Sequence, residues 1–342
     1  MTSDYKGVAA LVEPGAKIAN FTAGEQIGCG AYSQVFAAQN TQHRAIKVYH
    51  AHADSYMNEE VNAIAAINDD TNHIIRMYGT AAYLSVAGTT RTAHLCVIFD
   101  RYEQTLGDYL KSQTNTPRYS KTIADTTHIL HGLKLIHAAG YAHGDIKPDN
   151  ILVSNMDTDI QRMVIADFNH ATPIDPEPTT VSGTAAYNAP ELIFCMPWST
   201  SADIWAWGCL FYEYATTCRL FDVSASSVGE DSLNSVSSDF NLSGEKNYEI
   251  CYGHIHGIVS LLGPVPKHFL SVPQSRLYVN AKGLPKHHGD VTPLHITNHL
   301  MTEFELSKKV AKHITSVLAR TVTYLPSVRC TAVDLISFFD AA

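Results

Sequence analysis

The sequence predicts an α+β chain in two lobes, a sheet-rich first part and a mainly helical second part. Three observations predict it. Short strand patterns joined by glycine-containing or polar turns run from Phe21 to Phe99. One helical stretch interrupts them, Ser55 to Ile67, with Val61, Ile64 and Ile67 spaced to make one apolar face. Beyond Gln104 the apolar residues recur at helical spacing.

The chain has 342 residues, 45% of them hydrophobic and 17% charged, which suits one large two-lobed domain or two domains. We divide it into a first lobe at 1–100, a hinge at 101–104 and a second lobe at 105–342. No apolar run reaches the ~18 residues of a membrane span, and the first residues lack the basic and apolar regions of a secretory signal. Seven cysteines without a C-x-x-C pair read as buried thiols of an intracellular protein, cytoplasmic or nuclear, and argue against zinc. The eighteen histidines are scattered. A net charge of -9 disfavours direct nucleic-acid binding and suits a basic protein partner.

Residues 1–20 have little periodicity and read as an arm laid over the first sheet. The strand pattern then begins with E-Q-I-G-C-G-A-Y-S-Q-V-F, where Gly28 and Gly30 admit close approach of a phosphate to the backbone. Ser33 stands where a third glycine is expected, and taken alone the glycine pair reads better as an ordinary hairpin turn. The next strand, R-A-I-K-V-Y, carries Lys47, whose ammonium can reach phosphate oxygens beneath that turn. Of the two acids on the following helix, Glu60 lies four residues before Ile64 and shares its face, so it is the better partner for Lys47 than Glu59. Strands are expected at 74–83 and 93–99, with the loop S-V-A-G-T-T-R-T between them.

In the second lobe a helix is expected over 121–140, ending at Gly140. The loop H-G-D-I-K-P-D-N follows at once, placing Asp145, Lys147 and Asn150 within six residues. Such a loop can set a carboxylate by a hydroxyl, an ammonium by a phosphate and an amide oxygen by a metal, the three demands of phosphoryl transfer. A hairpin, I-L-V and M-V-I-A-D-F, then delivers Asp167 beside the amide of Asn150. The loop after D-F-N has no lysine or arginine and closes at G-T-A-A-Y-N-A-P-E. Helices are expected at 202–215, from Gly253, over 303–324 and over 331–339, with a serine-rich acidic insertion at 222–250.

The ordered set G-x-G, A-I-K, a helix glutamate, H-G-D-I-K-P-D-N, D-F-N and A-P-E resembles the eukaryotic protein kinase signature along nearly the whole chain. Within it, W-S-T-S-A-D-I-W, G-H-I-H-G-I-V-S-L-L-G-P-V-P-K-H-F and L-P-S-V-R-C-T-A are most similar to the SR-protein kinases, with the Clk enzymes second. The resemblance implies a bilobal fold with the nucleotide between the lobes, ATP and Mg2+ as cofactors, and a monomer that needs no membrane. It implies that Lys47, held by Glu60, neutralises the α- and β-phosphates. Asp145 would accept the substrate proton, Lys147 would offset γ-phosphate charge and mark serine/threonine specificity, and Asn150 and Asp167 would hold the magnesium. Ile27, Val35, Ala45 and Leu152 would sandwich the adenine, with Phe99 as gatekeeper and backbone at Asp100–Tyr102 reading its edge. Thr184 would sit near Asp145 and Lys147, and Glu191 would pair with Arg329.

Three residues depart from the pattern. Gly144 replaces the arginine that reads a phosphorylated activation loop, which implies activity without loop phosphorylation. Asn169 replaces the glycine after Asp-Phe, where its tolerance of left-handed backbone would keep the aspartate placed. Asn188 replaces an arginine beside the acceptor pocket. The expected function is a serine kinase acting on basic arginine/serine-rich proteins such as splicing factors. The alternatives are a Clk-like or other kinase with a different substrate, and a pseudokinase that binds without chemistry.

Overall fold

The computed structural model describes residues 10–39, 43–67, 71–87, 89–113, 119–154, 162–175, 183–221, 245–286 and 291–341. Residues 1–9 of the expected arm and residues 222–244 of the expected insertion lie outside them. The chain divides into two compact units, 1–105 with 152–171, and 106–151 with 172–342.

The first unit is built on a six-stranded antiparallel sheet ordered β1-β2-β3-β4-β6-β5. Its strands are β1 (Lys17–Ile18), β2 (Phe21–Cys29), β3 (Ser33–Ala38), β4 (Arg44–Tyr49), β5 (Met77–Ala87) and β6 (Thr90–Asp100). Strand period divides β4 between two faces. Ile46 and Val48 join Phe36, Cys96 and Ile98 in a core that Val12 and Ile18 of the N-terminal arm cover, as expected for residues 10–20. Ala45, Lys47 and Tyr49 alternate with them. The registers Val35↔Lys47 and Ala45↔Phe99 bring Val35, Ala45, Lys47 and Phe99 to one face. A one-residue slip would move Lys47 into the apolar core, so the pattern of β4 fixes the register.

Helix α1 (Asp54–Ile67) buries Met57, Glu60 and Ala63, a stripe at three-residue spacing. The expected face through Val61, Ile64 and Ile67 is only half-buried. Residues 85–87 and 90–92, expected as a loop, instead pair at the end of a long hairpin, Ala87 with Thr90. Its backbone bonds suffice there, and Leu84 and Val86 remain 51% and 63% exposed. The first unit also takes in β7 (Gln104–Thr105), β9 (Ile151–Ser154) from Leu152 onward, and β10 (Arg162–Ile165), in the order β10-β9-β7. The sequence division placed 152–171 with the second lobe. Pairing of Thr105 with Leu152 and of Ile74 with Ile165 draws that segment to the first unit.

The second unit is mainly helical: α2 (Leu106–Ser112), α3 (Tyr119–Ala138), α4 (Pro190–Ile193), α5 (Ser201–Thr216) and α6 (Glu245–Leu262), then α7 (Lys267–Leu270), α8 (Ser275–Tyr278), α9 (Ile296–Thr302), α10 (Lys308–Thr321) and α11 (Ala332–Asp340). A two-stranded ribbon joins β8 (Tyr141–Ala142) to β11 (Thr172–Pro173). The helix expected over 303–324 begins only at Lys308. Glu305 has φ +52°, and Ser307 caps α10 by accepting from the Val310 N–H. Helix α5 is buried nearly all round, with Trp205 and Trp207 fully enclosed. Of the seven thiols none is paired, and only Cys96, Cys209 and Cys251 are buried.

His254 of α6 packs against Phe221 with ring centroids 5.0 Å apart and is buried, and its Nε2 finds no partner among the described residues. Burial pushes its pKa down from 6.5 to about 3. The native state thus binds fewer protons than the unfolded chain once pH falls below 6.5. Stability that is complete above 6.5 declines below it, by up to about 1.4 kcal/mol per unit. His254→Phe is expected to flatten that decline, read as urea midpoints at pH 7 and pH 5.

Candidate active site

Lys47 is 7% exposed and lies in a ring of acceptors within the first unit. Its Nζ stands 3.0 Å from both Glu60 carboxylate oxygens, 2.7 Å from Asp167 Oδ1 and 3.3 Å from Asn169 Oδ1. Burial alone would lower the Lys47 pKa, but Asp167 and Glu60 outweigh it and hold the ammonium above its ordinary value. Glu60 also accepts from the Phe168 N–H at 3.0 Å and from the Tyr49 hydroxyl. The choice of Glu60 over Glu59 agrees with this geometry, since Glu60 is 1% exposed whereas Glu59 is exposed.

Asp167 has φ +63° and begins a single 3-10 turn, Phe168–His170. The expected reason for Asn169 is therefore corrected. The left-handed residue is the aspartate itself, and Asn169 contributes its side-chain oxygen, which accepts from Lys47 and Tyr49.

The expected adenine-contacting residues all fall in this unit. Ile27 and Val35 are half-buried on β2 and β3, Ala45 and Phe99 are buried on β4 and β6, and Leu152 is half-buried on β9. Gly28 pairs with Val35, and the Gly30 N–H closes the turn onto the Ser33 carbonyl at 2.9 Å. Ser33 is buried and opens β3. Of the backbone donors expected at Asp100–Tyr102, two are committed within the unit: the Asp100 N–H to Arg76 O and the Arg101 N–H to His43 O. The Asp100 carboxylate itself bonds Arg44 at 2.8 Å.

The second unit assembles the other set. Asp145 Oδ1 accepts from the Thr184 hydroxyl at 2.7 Å. Its Oδ2 accepts from Asn150 Nδ2 at 2.9 Å and lies 2.8 Å from Lys147 Nζ. Lys147 also donates to Thr184 Oγ1 at 2.7 Å, closing a triangle of acid, hydroxyl and ammonium. Gly183 allows that approach: its φ is +85°, and a Cβ there would stand 2.5 Å from the Gly144 carbonyl. Gly144 has φ +77°, and its N–H donates to Asp203 Oδ1 at 2.9 Å. Asp203 Oδ2 accepts from the His143 N–H and lies 2.9 Å from His137 Nε2. Burial would raise the Asp203 pKa, but His137 and the loop donors outweigh it and hold it below the ordinary carboxylate value. Asn188 is buried, and its Nδ2 has no partner among the described residues.

Reasoning from sequence missed Tyr49 and Asp203. Tyr49 was legible from strand period, since it follows Lys47 by two residues. Asp203 lies inside both W-S-T-S-A-D-I-W and the helix expected at 202–215, neither of which assigned it a role.

Each unit offers an oxygen that suits a hard cation. Asn150 spends its amide nitrogen on Asp145, which leaves the amide oxygen for a metal, and the Asp167 side chain is 39% exposed. No cluster of three or more His, Cys, Asp or Glu that could hold a metal occurs among the described residues. Magnesium needs none, because it takes one or two protein ligands and completes its shell with phosphate and water.

An antiparallel sheet with a buried lysine–glutamate pair, followed by a mainly helical unit with an Asp–Lys–Asn loop, is the protein kinase architecture. The chain belongs to the protein kinase domain family, whose model matches residues 21–337. It is 23% identical over 345 residues to human dual specificity protein kinase CLK1, covering 92% of this chain and 65% of CLK1. It is 29% identical over 236 residues to dual specificity protein kinase lkh1 of Schizosaccharomyces pombe, covering 61% and 33%. It is 30% identical over 204 residues to mitogen-activated protein kinase kinase kinase 20 of Arabidopsis thaliana, covering 56% and 57%. The chain thus spans a third to two thirds of the length of these curated relatives. The CLK matches favour the group that the motifs rank second to the SR-protein kinases. No described helix is long and apolar enough to cross a membrane.

Proposed function

We propose that the chain is an ATP- and magnesium-dependent protein kinase that phosphorylates serines in basic, arginine/serine-rich proteins. The observation that carries the phosphotransfer reading is the Asp145–Thr184–Lys147 triangle. Thr184 Oγ1 lies 2.7 Å from a carboxylate oxygen and 2.7 Å from an ammonium, the relation that an acceptor serine hydroxyl needs. An incoming hydroxyl takes the place of Thr184 at Asp145 Oδ1, and Asp145 receives its proton. Lys147 offsets the charge that develops on the transferred group. Lys47, fixed by Glu60, would orient the phosphates, while Asp167 in the first unit and Asn150 in the second would each offer an oxygen to a metal. ATP supplies the phosphoryl group, and magnesium offsets the charge on its oxygens.

The net charge of -9 and a loop after Asp-Phe-Asn that has acids but no lysine or arginine support a basic substrate. An acidic surface attracts arginine-rich chains by a diffuse field that salt screens. The test is magnesium-dependent transfer of labelled phosphate from ATP to an arginine/serine peptide, with Asp145→Ala as control. Equal signal in the control sinks the catalytic assignment and favours the pseudokinase. Preference for a peptide without arginine sinks the substrate class alone. Phosphoamino-acid analysis of the product separates serine/threonine from dual specificity. Raising salt from 50 to 300 mM should raise KM for the peptide and leave kcat unchanged.

Gly144 offers no cation for a phosphorylated loop to neutralise, and its backbone is held by Asp203 instead. Chain produced without phosphorylation should therefore be fully active. Activation by an upstream kinase would refute that.

A further inference from the structure

Two buried groups in the first unit have no part in the chemistry described above, the Tyr49 hydroxyl and the Asn169 amide. Tyr49 is 0% exposed and Asn169 5%. The hydroxyl reaches both Glu60 Oε2 and Asn169 Oδ1, the latter at 2.9 Å, so its one proton bridges two acceptors. The same amide oxygen accepts from Lys47 at 3.3 Å. An ammonium has donors only, so the amide atom turned toward it is the oxygen, which fixes the orientation of Asn169. Burial and the neighbouring Glu60 raise the Tyr49 pKa, so the hydroxyl keeps its proton.

The ammonium's three protons face three partners: Glu60, Asp167 and Asn169. When Lys47 turns a proton to a phosphate, one partner must yield. Asp167 is the accessible one, with 39% of its side chain exposed, and is the residue proposed for the metal. Its release leaves Lys47 on the two buried partners, Glu60 and Asn169, which Tyr49 joins. A glycine after Asp-Phe could supply no such anchor.

We infer that Tyr49 and Asn169 are positioning residues that keep the Lys47–Glu60 pair, and with it helix α1, assembled without a phosphorylated loop. The consequence for catalysis rests on the kinase reading. The consequence for α1 does not.

Tyr49→Phe removes only the hydroxyl and leaves Glu60 its bonds to Lys47 and Phe168. Asn169→Gly restores the usual residue. Each is expected to lower kcat about 10-fold or more, the loss of one hydrogen bond to a charged group, at unchanged KM for peptide. Amide hydrogen exchange across α1, measured without nucleotide, should accelerate about tenfold in each variant. The double variant should be no slower in transfer than the worse single one, because both act through the same pair. Unchanged exchange in α1 in both variants overturns the inference, whatever happens to kcat. Acceleration spread evenly over the chain overturns it too, since that is global loosening. If the unaltered chain transfers no phosphate, the kinase reading fails by itself. Faster exchange confined to α1 in the variants would then still support the positioning role.

Discussion

Asp145→Asn is expected to lower kcat about 10^2- to 10^4-fold, the usual contribution of a positioned general base. The substitution is chosen because the surroundings accept an amide. Asn150 Nδ2 and Lys147 are both donors and face Asp145 Oδ2, so an amide oxygen can stay there. The amide nitrogen then faces Thr184 Oγ1, which has a lone pair to accept. The loop keeps its shape and loses only the atom that takes the proton. Initial rates with the arginine/serine peptide, alongside an unchanged unfolding midpoint, check this. A kcat within threefold of the unaltered chain removes Asp145 from the reaction.

Glu191→Ala should cost about 3–5 kcal/mol of stability, the penalty for breaking a buried ion pair from one side. Arg329 and Glu191 have side chains 0% and 1% exposed, and the guanidinium bonds both carboxylate oxygens at 2.5 and 2.8 Å. All five guanidinium donors are used: the other three go to the carbonyls of Ser201, Thr323 and Tyr324. Removing the carboxylate strands a cation that has no route to water. The pair thus ties α4 to the start of α5 and to the segment after α10. Arg329→Met added to Glu191→Ala should recover part of the loss, because no buried charge remains. Recovery stays partial, since three carbonyls then lack their donor. Urea unfolding of the single and double variants measures both effects, and a single variant no less stable than the unaltered chain would show the pair to be dispensable.

Much of the candidate site was legible because its parts depend on short spacings. Asp145, Lys147 and Asn150 lie within one loop, and helical period alone selects Glu60 over Glu59. The Glu191–Arg329 and Thr184–Asp145 contacts were also expected, though only from resemblance, because nothing local joins residues 138 positions apart. The network around Lys47 was less legible. Strand alternation puts Tyr49 on the face of Lys47, but the acceptors that meet it come from α1 and from the turn after β10. Asn169 illustrates the limit well. Its sequence position suggested backbone tolerance, and the packed structure instead uses its amide oxygen.

By itself the sequence determined the α+β class, the acid–lysine–amide loop and the lysine–glutamate pair, since each follows from local periodicity or composition. Tertiary structure decided that 152–171 joins the first unit, that 85–87 and 90–92 pair as strands, and that Tyr49 and Asn169 close the ring around Lys47. These outcomes share one cause. Strand pairing and buried hydrogen bonds are made between distant segments, and their partners are set by which donors and acceptors folding removes from water together.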